Sequence, residues 1–448
     1  MKGGVPEMAI NSLTFLYIFL PAALILYNIV PKKLKTAVLA VLSGLFVLFS
    51  QPENFFYFAA DIVFLFVLSE FMHRFSEKPK KKKIVLVFSI IFNAAIIIIS
   101  SVTKQLSGGF APFAVMVISF TAIGYFVDIY KDEAKPIRSF PEFVVFLAFF
   151  GKLSRGPLVR VGDVKNLESS KGFSLEETGT GLYLFIRGLA KYVVLAIPLV
   201  QLHEKLSAAN SEEISVIGAW LGMVVFSMMI FFDLSGFCDI ARGLGRCFGM
   251  ELPKNFYFPF QSPSVSDFLD RFNMTVTGFF RHYVYNVLRN DKNSKPQFVV
   301  NTLLISMLCG SWFGIRMNFI LWGLYIAVFI VIEEFFLRKI LMNIPHIFAR
   351  IFTFAVTMFS MVIFSASSPD SIFRSFSAMF GINVPTVTDS VTYIISQNML
   401  SLTVGAFFFI SAFSMFVRFV SKKNPTVFSI FAVFESAALL ALITANLL

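Results

Sequence analysis

The chain has 448 residues, of which 57% are hydrophobic, 17% aromatic and only 15% charged, and its formal net charge is +11. A soluble globular domain averages about 25% charged residues, so this composition, with a mean hydropathy of +0.77, excludes a protein that faces water throughout. The basic residues sit in short clusters between apolar runs, where they set membrane orientation and meet anionic headgroups; no nucleic-acid partner is indicated.

Apolar runs of about 18 or more residues read as membrane-spanning helices. A transmembrane β-barrel needs alternating polarity, and IVLVFSIIFNAAIIIIS at 84–100 has none. In chain order the spacing predicts spans near 11–30, 36–50, 54–70, 84–101, 110–127, 181–200, 214–234, 298–313, 318–337, 347–366, 396–419 and 426–447. The first, from Asn11 to Val30, lacks a small-residue cleavage site and reads as a retained span rather than a signal peptide. Basic clusters follow the odd-numbered spans: Lys32, Lys33 and Lys35; Lys78 and Lys80 to Lys83; Lys131, Lys135 and Arg138; a group from Lys254 to Lys295; Arg338 and Lys339; Arg418, Lys422 and Lys423. By the positive-inside rule this puts the N-terminus outside and the odd connections in the cytoplasm.

Two stretches break the simple scheme. Glu142 to Asn166 begins apolar and ends basic around Gly156-Pro157; it is too short to cross twice and reads as a re-entrant or interfacial element. In Ser264 to Leu288, Phe268, Phe272, Val276, Phe279 and Tyr283 recur at helical spacing between polar residues, which predicts an amphipathic helix or helix pair. The connection at 203–213 reads as an outward loop carrying His203. Cys238, Cys247 and Cys309 form no disulfide framework, and no spacing suggests a metal site. There is no internal repeat or soluble segment, so residues 1–448 read as one membrane domain.

Several segments carry a resemblance. They are SLTFLYIFLPAALILYNIVPKKLK at 12–35, ISFTAIGYFVDIYK at 118–131, FFGKLSRGPLVR at 149–160, GLYLFIRGLAKYVVLA at 181–196 and NFILWGLY at 318–325. Between the last two lies a signature with Asp233, Ser235, Gly236, Asp239, Gly243, Gly245, Pro253, Asn255, Phe260 and Phe268, ending in FFRHYVYNVL. In order and spacing this resembles the membrane-bound O-acyltransferases, in their alginate O-acetylase and D-alanyl-teichoic-acid transferase-like branch, with the signature region at 231–325. The resemblance implies an all-α polytopic membrane protein of about 11–12 transmembrane helices, with re-entrant and amphipathic helices around a central tunnel. It implies transfer of an acetyl or other small acyl group from a cytoplasmic activated donor, an acyl-CoA or an acyl carrier protein, to hydroxyls of an extracellular cell-envelope polysaccharide. An extracellular acyl-transfer partner is a further possible partner beside the bilayer and the polymer acceptor; no bound cofactor is implied. The cell membrane is the implied location.

The resemblance also implies two histidines, at the positions of Asn273 and Phe313, and an arginine at the position of Ser365. A hydroxyl attacking a thioester must lose its proton, and an unperturbed imidazole is the side chain matched to neutral pH. An amide carries no titrating charge and a phenyl ring does nothing of the kind, so the substitutions predict slow or absent transfer. His282 is a substitute base only if the helix breaks, near Gly278, because nine residues on a straight helix place it opposite Asn273. Cys309 lies one turn before Phe313, on the same face if the helix continues, and is the other candidate nucleophile. Asp233, Ser235 and Asp239, read as lying where a span ends, together with Arg281, Lys152, Arg155 and Arg160, are candidates for lining a tunnel or binding the donor. The alternative reading is a non-catalytic relative serving as a membrane scaffold, binding partner or conduit.

Overall fold

The computed structural model describes residues 8–106, 113–164, 174–285, 294–410 and 424–448. It is 82% helical. The described residues hold no strand and form one isolated antiparallel bridge, between Phe256 and Phe272. The helices are α1 (Leu20–Ile29), α2 (Lys35–Ser50), α3 (Phe55–Arg74), α4 (Pro79–Leu106), α5 (Phe113–Tyr130), α6 (Phe140–Ala148), α7 (Phe150–Leu153), α8 (Leu175–Ala190), α9 (Ile197–Glu212) and α10 (Val216–Cys247). They continue with α11 (Val265–Arg271), α12 (Met274–Phe280), α13 (Lys295–Ser311), α14 (Met317–Ile332), α15 (Arg338–Asn343), α16 (His346–Ser365), α17 (Pro369–Met379), α18 (Asp389–Gln397), α19 (Met399–Phe409) and α20 (Pro425–Leu447).

Among the described residues nine helices are long and apolar enough to cross a membrane, and each overlaps a predicted span. The other three predicted spans come out differently. Phe15–Ile29 is apolar but short. The span at 298–313 falls on α13, which has 17 residues and opens with Lys295-Pro296. The span at 396–419 meets α18 and α19, bent by 72°, and its end lies outside the described residues. A multi-pass helical membrane protein is the result. Each helix closes its own backbone hydrogen bonds, as the hydrocarbon core requires.

Contacts divide the chain into two compact units: Met1–Leu189 with Phe237–Lys254 and Thr444–Leu448, and Ala190–Gly236 with Asn255–Ile443. In the first, α5 is the most enclosed span, 61% buried. Tyr125 on α5 accepts a hydrogen bond from the backbone N–H of Ile137 at 3.0 Å and pairs with the Ser69 hydroxyl at 2.5 Å. The predicted re-entrant element is a broken one: α6, a turn at Phe149, the four-residue α7, then an extended run through Gly156 to Arg160. Nearly all of it from Phe143 to Val159 is buried, the condition under which irregular backbone is tolerated at depth. Ser43 of α2 accepts from the Phe150 N–H at 3.2 Å, and Phe15, Phe46, Phe150 and Phe248 pack ring on ring beside it.

In the second unit α13 and α14 touch backbone to backbone. A Cβ added at Gly310 would strike the carbonyl oxygen of Phe319, and one at Gly323 the carbonyl oxygen of Ser306. Trp322 of α14 donates to Ser360 of α16 at 3.1 Å, and Asn318 donates to the Phe364 carbonyl at 2.6 Å. The amphipathic stretch resolves into α11, a sharp turn and α12, which runs into a π-helical turn at Arg281–Tyr285. Val265, Phe268, Leu269, Phe272, Val276, Phe279 and Tyr283 are all buried; the end of the predicted stretch, 286–288, lies outside the described residues. Ser264 caps α11 by accepting from Asp267 N–H, and the Glu333 carboxylate accepts from Val265 N–H at 2.7 Å. Glu333→Leu removes that acceptor from a buried donor, so it is expected to lower stability by about 1–3 kcal/mol. The check is the thermal midpoint of the detergent-solubilised protein, and an unchanged midpoint would contradict the assignment.

Two predicted connections are helical instead. His203 belongs to α9, which extends to Glu212, so the outward loop at 203–213 is not a loop. The Asp233–Asp239 stretch does not end a span: α10 carries on to Cys247. In both places the polar residues fit within a helix whose apolar faces continue past them, and periodicity at segment edges does not reveal that.

Candidate functional site

The centre of the site is a backbone crossing in the second unit. After α10 the chain runs extended, and residues 255–257 lie against 271–274. Tyr257 N–H donates to the Arg271 carbonyl at 3.0 Å and Met274 N–H to the Asn255 carbonyl at 2.8 Å, either side of the Phe256–Phe272 bridge. Asn273 takes a left-handed conformation there, φ 57° and ψ 50°, as the N-cap of α12. Asparagine is among the few residues that enter this region at little cost. The side chain of Asn255 reaches across to it: its Nδ2 donates to Asn273 Oδ1 at 2.7 Å. Its own Oδ1 accepts from both the N–H and the hydroxyl of Thr275, each at 2.8 Å. Asn255 and Asn273 are both buried.

Thr277, one turn into α12, donates to the Leu269 carbonyl and accepts from the Cys309 thiol at 3.8 Å. The π turn after α12 packs on α13 as well. Phe313 itself lies past the end of α13, in a turn where its N–H bonds the Gly310 carbonyl at 3.0 Å. The continuing helix that a same-face relation between Cys309 and Phe313 requires is present only as far as Ser311. Phe313 is buried against Phe364 at 5.0 Å, Phe319 at 6.1 Å and Trp322 at 6.2 Å between ring centroids. Trp312 and Trp322 are buried as well. Ser365 ends α16, and its hydroxyl bonds the Val362 carbonyl at 3.2 Å.

His282 is not brought round by a break at Gly278. The break is at Asn273, α12 runs unbroken through Gly278, and the change of pitch comes at Arg281. His282 is half-buried, with its ring edge-on to Tyr283 at 4.8 Å. Arg281 pairs with Asp270 at 2.5 Å, both half exposed. Asp233 is half-buried in the middle of α10, and the Ser235 hydroxyl beside it is buried with no hydrogen-bond partner among the described residues.

In the first unit the remaining candidates are each engaged locally. Asp239 pairs with Arg242 at 3.3 Å. Lys152 is fully buried, its ammonium bonded to the Phe146 carbonyl and set over the Phe146 ring, so it closes the end of α6. The Arg155 guanidinium stacks on Phe113 and Phe237 at 5.3 and 5.0 Å. Arg160 holds Asp163 through Nε at 3.1 Å and a terminal nitrogen at 3.0 Å. Asn255 is the residue of the crossing that sequence reasoning did not single out as a candidate. It sits in the signature, but nothing in the chain order shows that its amide meets one 18 residues away.

Known proteins resemble the chain over much of its length. The chain is 26% identical over 400 residues to the probable alginate O-acetylase AlgI of Azotobacter vinelandii, covering 85% of this chain and 80% of that one. It is 24% identical over 422 residues to the peptidoglycan O-acetyltransferase of Helicobacter pylori, covering 83% and 80%. It is 30% identical over 239 residues to the teichoic acid D-alanyltransferase of Bacillus subtilis, covering 49% and 60%. The family model described as MBOAT, membrane-bound O-acyltransferase family, matches residues 129–368, just over half of the chain and the whole of the crossing at Asn255 and Asn273; the chain belongs to the membrane-bound O-acyltransferase family.

Proposed function

We propose that this protein, acting as one domain over residues 1–448, moves an acetyl or similarly small acyl group from a cytoplasmic thioester to a hydroxyl of a cell-envelope polymer outside. The donor is an acyl-CoA or an acyl carrier protein. The protein sits in the cell membrane with its N-terminus outside and a passage through its centre. Support comes from relatives named for alginate, peptidoglycan and teichoic acid. The observation that carries the reading is the buried, hydrogen-bonded Asn255–Asn273–Thr275 crossing in the matched region. Transfer is slow, because neither Asn273 nor Phe313 removes a proton. Positioning alone can lower a barrier by several kcal/mol, and loss of a general base slows transfer by about 10²–10⁴-fold. The second reading, a non-catalytic scaffold, binding partner or conduit, is favoured by one observation: Phe313 is sealed among Phe319, Trp322 and Phe364.

The test is purified protein in lipid nanodiscs with [14C]acetyl-CoA or acetylated acyl carrier protein and envelope polymer. Slow thioester loss above the protein-free rate, with label reaching the polymer, is the expected result. Thioester loss at the protein-free rate, with label on neither polymer nor protein, would favour the second reading.

A further inference from the structure

The Asn255–Asn273 pair has a defined polarity, and it can be read without assigning either amide by assumption. The backbone N–H of Thr275 is only ever a donor, so the atom of Asn255 that it meets is the oxygen. The other end of that amide is therefore nitrogen, and it donates to Asn273. The atom of Asn273 that receives it must be the oxygen, since an amide nitrogen accepts nothing. The chain of donors thus runs from Thr275 through Asn255 and leaves Asn273 with its NH2 group pointing away from the crossing. That nitrogen has no partner among the described residues, yet it is not among the buried polar atoms lacking one. It is a donor within reach of solvent on an otherwise buried residue.

We infer that Asn255 is a positioning residue that holds Asn273 as a hydrogen-bond donor, and that this donor receives the carbonyl oxygen of the acyl group. The site is thus built for an acceptor atom, one that gains negative charge when a thioester is attacked. A fixed donor aimed at developing charge is the general device of oxyanion stabilisation. The same logic governs a histidine at this position. Asn255 would donate to one ring nitrogen and leave the other as N–H, so an imidazole at 273 would also present a donor and would not be a base. Any general base then belongs elsewhere in the site. This inference rests on the acyl-donor reading above.

The test compares binding of two probes to the full-length protein in nanodiscs: the ketone analogue of acetyl-CoA, in which CH2 replaces the thioester sulfur, and S-ethyl-CoA, which lacks the carbonyl oxygen. The natural chain is expected to bind the ketone about five- to tenfold more tightly, the worth of one hydrogen bond. Asn273→Ala should remove that preference. Asn255→Asp should also remove it while keeping the size of the side chain. Its carboxylate still accepts from Thr275, but it now draws the Asn273 NH2 inward and turns the Asn273 oxygen out. Asn273→His should keep the preference. A thermal midpoint near that of the natural chain separates these effects from loss of folding; if Asn255→Asp does not fold, Asn273→Ala and Asn273→His carry the test. A preference unchanged in Asn255→Asp or Asn273→Ala, or equal binding of both probes to the natural chain, would overturn the inference while leaving the acyl-donor reading standing. Failure of both probes to bind would overturn both.

Discussion

The Asn273→His, Phe313→His double variant is expected to transfer acyl groups about 10²–10⁴-fold faster than the natural chain, the range that a general base contributes. Most of that gain should come with the change at 313. At 273, the Asn255 amide takes up one ring nitrogen and leaves a donor outward, so Asn273→His alone should stay close to the natural rate. At 313 the new imidazole replaces a ring packed on Phe364, Phe319 and Trp322. Exchanging a buried phenyl for a smaller polar ring destabilises the fold, by about 1–3 kcal/mol if the imidazole finds a partner. The activity comparison is therefore made on protein that elutes as a single species and retains a cooperative thermal transition. Acetyl transfer to polymer is the readout. A folded double variant that binds the acyl donor and remains silent would show that the absent histidines are not what limits this protein.

Gly310→Val and Gly323→Val are each expected to abolish accumulation of folded protein, and Gly310→Ala to lower stability by about 3 kcal/mol or more. At both glycines the obstructing atom is a backbone carbonyl oxygen of the facing helix, Phe319 for Gly310 and Ser306 for Gly323. A carbonyl cannot rotate aside as a side chain does, so α13 and α14 must separate. Overpacking of this kind typically costs about 1–3 kcal/mol even where side chains can yield, and small residues are what let membrane helices approach so closely. Separation would also displace Phe313, which follows α13, from Phe319 on α14. Gly44→Ala in α2 is the control, since a Cβ there meets nothing within 4 Å; replacing a helical glycine at such a site should be neutral or stabilising by up to about 1 kcal/mol. Thermal midpoints of the detergent-solubilised variants decide the matter. An unchanged midpoint in Gly310→Ala would contradict the close crossing.

Legibility from sequence differed by region for physical reasons. Long apolar runs report their own helicity, because lipid leaves the backbone no other partner; α2 to α5, α14 and α16 were readable on that basis. The buried stripe of Val276, Phe279 and Tyr283 was readable from its spacing. Helix ends were not. Asp239 lies well inside α10 and His203 inside α9, since a polar residue on one face does not stop a helix whose other faces stay apolar. The end of α13 at Ser311, short of Phe313, was likewise not marked by any change in hydropathy.

The sequence by itself determined the membrane setting, the family and the side chains present at 273 and 313, because hydropathy and signature residues are properties of the linear chain. The polarity of the Asn273 amide, the confinement of Phe313 among aromatic rings and the backbone contact at Gly310 and Gly323 were decided only in three dimensions. Each depends on partners from 6 to 51 residues away in the chain, and a hydrogen bond or a steric contact has direction only once the fold has brought both partners to one place.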